Sequence, residues 1–131
     1  MAIEIAVYPN DCDAFGHVNQ AVYHVFFERA RWQVLAEGPG MDVFTREGVW
    51  PAVRHAVIDH HAGVWPGDVL RFDMSVIHRG RTSFTTRQLA TRARDGQLVA
   101  ALEAVFVCIN DDEQPVPVPD SVLRAFGADG V

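Results

Sequence analysis

Residues 21–35 read AVYHVFFERARWQVL, and the placement of their apolar side chains decides the fold. Ala21, Val22, Tyr23, Val25, Phe26, Phe27, Ala30, Trp32, Val34 and Leu35 cover most of a helix circumference through its first half. A helix apolar nearly all round is buried in a core rather than laid on a surface. The spacing predicts a helix from about Gln20 to Ala36, stopped by EGPG at 37–40.

Outward from this helix the pattern is strand. Residues 2–8 alternate, with Ile3, Ile5 and Val7 on one face, until Pro9 ends the run. Beyond a short helix or irregular lid at 41–50, strands are predicted at 52–61, 69–79, 83–93 and 98–109. WPGD, GRT and RDGQ supply turns between them, and such short connections make neighbouring strands antiparallel. In the last strand only Glu103 interrupts two apolar faces, which predicts a central place in the sheet. The segment NDDEQPVPVP reads as a linker, because Pro115, Pro117 and Pro119 disfavour regular sheet, and DSVLRAF reads as a short terminal helix. The expected architecture is α+β: a curved five-stranded antiparallel sheet wrapped around one long central helix, in a single domain spanning 1–131.

Composition narrows the function. A net charge of −6 argues against a general nucleic-acid binder, which needs a basic surface. No apolar run approaches the roughly 20 residues of a membrane span, and the N-terminus has no export-signal pattern. Cys12 and Cys108 are far apart and outside any redox or metal-like pairing, as expected of free thiols in a cytoplasmic protein. All eleven cations are arginine, and five of them, Arg79, Arg81, Arg87, Arg92 and Arg94, fall between Asp73 and Asp95 with no acid among them. That window is either a site for a discrete anion, matched by arginine forks, or a solvated strand face.

Directly before the helix stands NDCDAFGHVNQ, residues 10–20. Aspartate and asparagine gather at helix starts for capping and turns alone. They also build a site there, because free N–H groups and the positive dipole end can hold developing negative charge. Asn19 is a suitable N-cap, and an upstream acid can act as nucleophile or as base for water. Carboxylate plus oxyanion-binding amides is a minimal kit for acyl transfer.

The stretch YPNDCDAFGHVNQAVYHVFFERAR resembles the signature of hotdog-fold acyl-CoA thioesterases of the 4-hydroxybenzoyl-CoA thioesterase type: an aspartate, Gly-His-Val-Asn, a tyrosine and Glu-x-x-Arg. The Pro-Gly-Asp turn and Asp-Gly hairpin farther on are similar too, so the resemblance spans roughly residues 4–110. It implies that Asp13 is the catalytic carboxylate rather than Asp11, and that the backbone N–H of about Gln20 polarises the thioester carbonyl. Gln20 departs from the asparagine or histidine common at that position, which touches the side chain but not the backbone donor. His17 and Asn19 would orient water, Asp13 or substrate, or else serve the turn and cap. Tyr23 would pack beside the substrate with its hydroxyl partnered, and Glu28 and Arg31, one helical turn apart, would pair.

The resemblance further implies CoA phosphates held by basic residues near the strands and often shared between subunits, which points to Arg79, Arg81 and Ser83. The implied partners are an acyl-CoA substrate and further copies of the chain, as homodimer or homotetramer, with strand 52–61 the candidate joining edge. No cofactor is implied. No metal site is expected either: His60 and His61 are adjacent on a strand and point to opposite faces, and His24 and Glu28 have helical ligand spacing but are better used in packing or pairing. Cys12 has no evident base for a nucleophile's role. The alternatives are a non-catalytic acyl-thioester-binding hotdog protein, favoured less because Asp13 is present, a hotdog dehydratase or hydratase, and a metal hydrolase.

Overall fold

The computed structural model describes residues 2–128; the other four positions of the expected 1–131 domain lie outside the described residues. The elements run β1 (Ile3–Ala6), α1 (Gln20–Glu37), α2 (Val43–Glu47), β2 (Trp50–His60), β3 (Val69–Arg79), β4 (Ser83–Arg92), β5 (Leu98–Ile109) and α3 (Asp120–Ala125), with a 3-10 turn at Pro9–Asp11. Every strand pairing is antiparallel, in the order β1-β3-β4-β5-β2. This is the curved five-stranded sheet expected, with α1 against its concave face. Register shifts at Val53/His55 and Val76/His78 help bend it, since a bulge adds local twist.

The order of strands explains the length of α1. β1 and β2 are consecutive in sequence yet occupy opposite edges, and α1 carries the chain across between them. Beneath it, Tyr23, Phe26, Phe27 and Ala30 join Ile3, Ile5, Leu70, Phe72, Ala90, Ala100 and Leu102 in one apolar cluster. The Phe27 and Phe72 rings meet edge-on at 5.2 Å. Gly96, at φ +73°, supplies the left-handed residue of the β4–β5 turn, closed by Arg92 and Gln97 at 2.8 Å.

Three expectations need correction. The helix is not buried all round: Val25 and Trp32 are exposed, at 53% and 37%, because one sheet covers only one side of a helix. β5 is flanked on both sides, but the middle strand is β4. The proline-rich segment is no linker. Val116 N–H donates to Cys108 C=O and Val118 N–H to Arg81 C=O, both at 2.9 Å. Prolines at every second position still allow an extended backbone, and the alternation presents Val116 and Val118 to the protein. The segment thereby seats α3, whose Val122 and Leu123 close a second apolar cluster with Phe84, Phe106 and Phe126.

Candidate active site

The segment between β1 and α1 is a closed loop pinned at several points. Asp11 caps the 3-10 turn, its Oδ2 accepting from Tyr8 N–H at 2.9 Å. Asp11 C=O accepts from Asn19 N–H at 2.9 Å, and Cys12 bridges Val18. Across the loop, Asp13 N–H donates to His17 C=O at 2.9 Å and Gly16 N–H returns to Asp13 C=O at 3.0 Å. Gly16 sits at φ +84°, a conformation that glycine adopts without steric cost. Val18 N–H donates to Val64 C=O, tying the loop to the turn before β3.

These bonds fold the Asp13 segment back on residues 17–19, which lead directly into α1. Its side chain is exposed, and Oδ1 accepts from Phe15 N–H at 2.9 Å. Oδ2 takes no hydrogen bond from the described residues and is open to a ligand or water. Asn19 is the N-cap of α1, its Oδ1 accepting from Ala21 N–H at 2.9 Å. Gln20 is the first helical residue, where backbone N–H groups have no intrahelical acceptor. His17 packs edge-on to Trp65 at 5.0 Å, a partner the sequence did not suggest because the two meet only through the fold. Tyr23 is buried and meets His60 edge-on at 5.0 Å. Burial, and secondarily the nearby Cys12 thiol, raises its hydroxyl pKa and keeps it neutral. Burial first, then Asp11 and Asp13, raises the Cys12 thiol as well, opposite to what a nucleophilic cysteine needs.

Arg79, Arg81 and Ser83 are not with this group. They lie at the β3–β4 turn, whereas the Asp13 loop packs at the Val69 end of β3. At ~3.3 Å per residue the two ends of that strand are roughly 33 Å apart. Nor is the basic window free of acids in space. Arg79 meets Asp120 at 2.6 Å, Arg87 meets Glu103 at 2.6 Å, Arg92 meets Asp95 at 2.7 Å and Arg94 meets Asp68 at 2.7 Å. Arg92 and Asp95 hold each other charged; the hydrogen bond from Arg92 is the main reason the Asp95 carboxyl falls to about 2. Arg81 alone of the five has no ion pair among the described residues.

Glu28 and Arg31 do not pair either. Glu28 Oε1 accepts from the Trp32 indole N–H at 3.4 Å, while the Arg31 guanidinium lies over the Phe106 ring at 5.1 Å. The signal for this was present: Arg31 falls four residues after Phe27 and four before Leu35, on the buried stripe of the helix. Among the described residues no group of three or more histidines, cysteines and acids is placed to hold a metal ion, and no helix is long and apolar enough to cross a membrane.

Comparison with known proteins finds relatives over most of the chain. A family model described as the thioesterase-like superfamily matches residues 7–126. The long-chain acyl-CoA thioesterase FadM of Escherichia coli K12 is 27% identical over 124 residues, covering 95% of this chain and 94% of FadM. Among solved structures, the probable thioesterase YbaW from Escherichia coli superposes with a TM-score of 0.88 at 24% identity, over 96% of this chain and 98% of that one. A Thermus thermophilus thioesterase, solved with coenzyme A and Zn, gives a TM-score of 0.79 at 23% identity, over 95% and 90%.

Proposed function

The chain belongs to the thioesterase-like superfamily, and on that premise we propose that it hydrolyses an acyl-CoA thioester to a free carboxylic acid and CoA. The observation that carries the proposal is the Asp13 carboxylate, one oxygen fixed and one free of hydrogen bonds among the described residues, on the loop that leads into α1 and its Gln20 N–H. The Gln20 N–H polarises the thioester carbonyl and takes up the charge that develops on its oxygen. Asp13 either attacks the carbonyl carbon or draws a proton from a water that does. The loop around His17 and Asn19 holds both groups in register. Steady release of free thiol from a panel of short, long and aromatic acyl-CoAs tests this; tight binding with no turnover would instead make the protein an acyl-thioester carrier.

The working unit is a dimer, and possession of a free edge supports it. β2 is an edge strand of eleven residues, mostly exposed. Two copies paired antiparallel about a two-fold axis set Trp50 of one beside His60 of the other. The 79–83 turn lies at the Trp50 end of its own sheet, since Trp50 pairs with Ile109 and Ser83 with Val107. Pairing therefore moves the second copy's turn to the same end as the first copy's Asp13 loop. Light scattering is expected to show a dimer or tetramer, and a stable, active monomer at micromolar concentration would overturn this.

In that assembly Arg81 and Arg79 serve the CoA phosphates. Arg81→Ala is expected to raise KM roughly 10- to 100-fold with little change in kcat, as follows from losing a charge-assisted contact of ~1.5–3 kcal/mol made equally in ground and transition states. The effect shrinks on a truncated thioester lacking the nucleotide. Equal losses on both substrates would give Arg81 a structural role instead.

A further inference from the structure

One buried charge has no use in this mechanism. Arg31 is 9% exposed, yet its guanidinium makes no hydrogen bond or ion pair among the described residues. Burial lowers its pKa, and the field of Glu28 offsets this only in part. An unpaired buried cation is costly unless something else meets it.

Arg31 lines a cleft of about 160 Å³ between α1 and strands β2 and β5, together with His24, Glu28, Val53, Ala56, Leu102 and Ala104. Gln88 pairs with Leu102 and Thr86 with Ala104, so their side chains share the concave face with the cleft. The Gln88 Oε1 and Thr86 Oγ1 atoms are also buried without partners. The cleft begins one turn from Gln20, at His24. Arg31 stands about 16 Å farther along the axis than Gln20, at ~1.5 Å per residue, and its side chain leans back toward the helix N-terminus.

We infer that this cleft receives the acyl chain and that Arg31 binds a carboxylate at its far end, so that the preferred substrate is an ω-carboxyacyl thioester of medium length. The thioester half of this rests on the function proposed above; the carboxylate half rests on Arg31 alone. Val53, Ala56, Leu102 and Ala104 offer the methylenes apolar walls. At ~30 Å³ per water, the cleft has the volume of about five waters, enough for a carboxylate and adjoining methylenes. The guanidinium fork matches a carboxylate through two parallel hydrogen bonds, and Phe106 holds its plane in place. Glu28 also lines the cleft, but it is exposed and turned to Trp32, so water screens its repulsion.

The test compares the protein with its Arg31→Met and Arg31→Lys variants on three CoA thioesters of equal chain length: ω-carboxyacyl, its methyl ester, and unsubstituted. The unaltered protein is expected to favour the carboxylated substrate in kcat/KM by about tenfold or more. Arg31→Met should erase that preference, read as the ratio of kcat/KM between the carboxylated and the two neutral substrates. Its own Tm should be unchanged or higher, since an unpaired buried charge has gone. A readout without hydrolysis is the free dicarboxylic acid, which should raise the Tm of the unaltered protein and not that of Arg31→Met. A protein that binds the diacid through Arg31 but releases no thiol would refute the hydrolase and leave the carboxylate site standing. If Arg31→Met does not fold, Arg31→Lys carries the comparison, because it keeps the charge, loses the fork, and should lose about tenfold on the carboxylated substrate alone. Equal losses on charged and neutral substrates, or a diacid that stabilises variant and parent alike, would overturn the inference.

Discussion

Asp13→Asn should abolish measurable turnover, a loss of about 10²–10⁴-fold from the carboxylate's role alone, with folding and substrate binding close to normal. The amide keeps the carboxylate's shape, and its oxygen still accepts from Phe15 N–H, so the loop survives. What goes is the basic or nucleophilic oxygen that no hydrogen bond among the described residues occupies. Asp11→Asn is the contrast. Asp11 Oδ2 is already committed to Tyr8 N–H, so that change should cost a fraction of a cap, ~0.5–2 kcal/mol of stability at most, and little of kcat. Single-turnover hydrolysis in ¹⁸O water separates the two roles open to Asp13: direct attack places solvent oxygen in the carboxylate, whereas base catalysis labels only the product acid. Near-normal turnover by Asp13→Asn would remove Asp13 from the mechanism.

The largest effect on stability is expected from Phe27→Ala. Phe27 is fully buried, its ring stands edge-on to Phe72, and its backbone C=O accepts from the buried Gln88 Nε2 at 3.0 Å. Removing the ring opens a cavity where helix meets sheet, worth ~3–5 kcal/mol by analogy with other buried aromatics. Total stabilities of ~5–15 kcal/mol leave little beyond that. The urea midpoint should fall sharply, and Phe27→Leu, which keeps much of the volume, should fall far less. A shift below about 1 kcal/mol would mean that Phe27 is not central to the core.

Most of the architecture was readable because period-2 and period-3.6 patterns are local. Leu70 and Phe72 alternate with Arg71 and Asp73, and β3 runs as that alternation says. Asn19 announced the helix start, and the structure makes it the cap. What stayed hidden depends on where distant segments meet. Arg79, Arg87 and Arg94 looked unopposed only because Asp120, Glu103 and Asp68 are remote in sequence. Spacing puts Arg31 on the buried stripe of α1, but Phe106, the ring that its guanidinium meets instead of Glu28, is remote in sequence. The tail looked like a linker because prolines forbid a ladder donor, while the alternate valines carry the docking.

The crossing of α1 from one sheet edge to the other also sets the order in which this molecule can form. Ile3 must find Phe72, and Trp50 must find Ile109, before either edge strand has a partner. Only the β3–β4 and β4–β5 hairpins are local. On the ribosome, α1 therefore emerges with Phe26, Phe27 and Leu35 uncovered and waits for most of the chain to follow. Closing such long loops before any contact rewards them slows folding relative to a helical bundle of the same size. The β3–β4–β5 meander is the natural nucleus, onto which the helix and both edges close last.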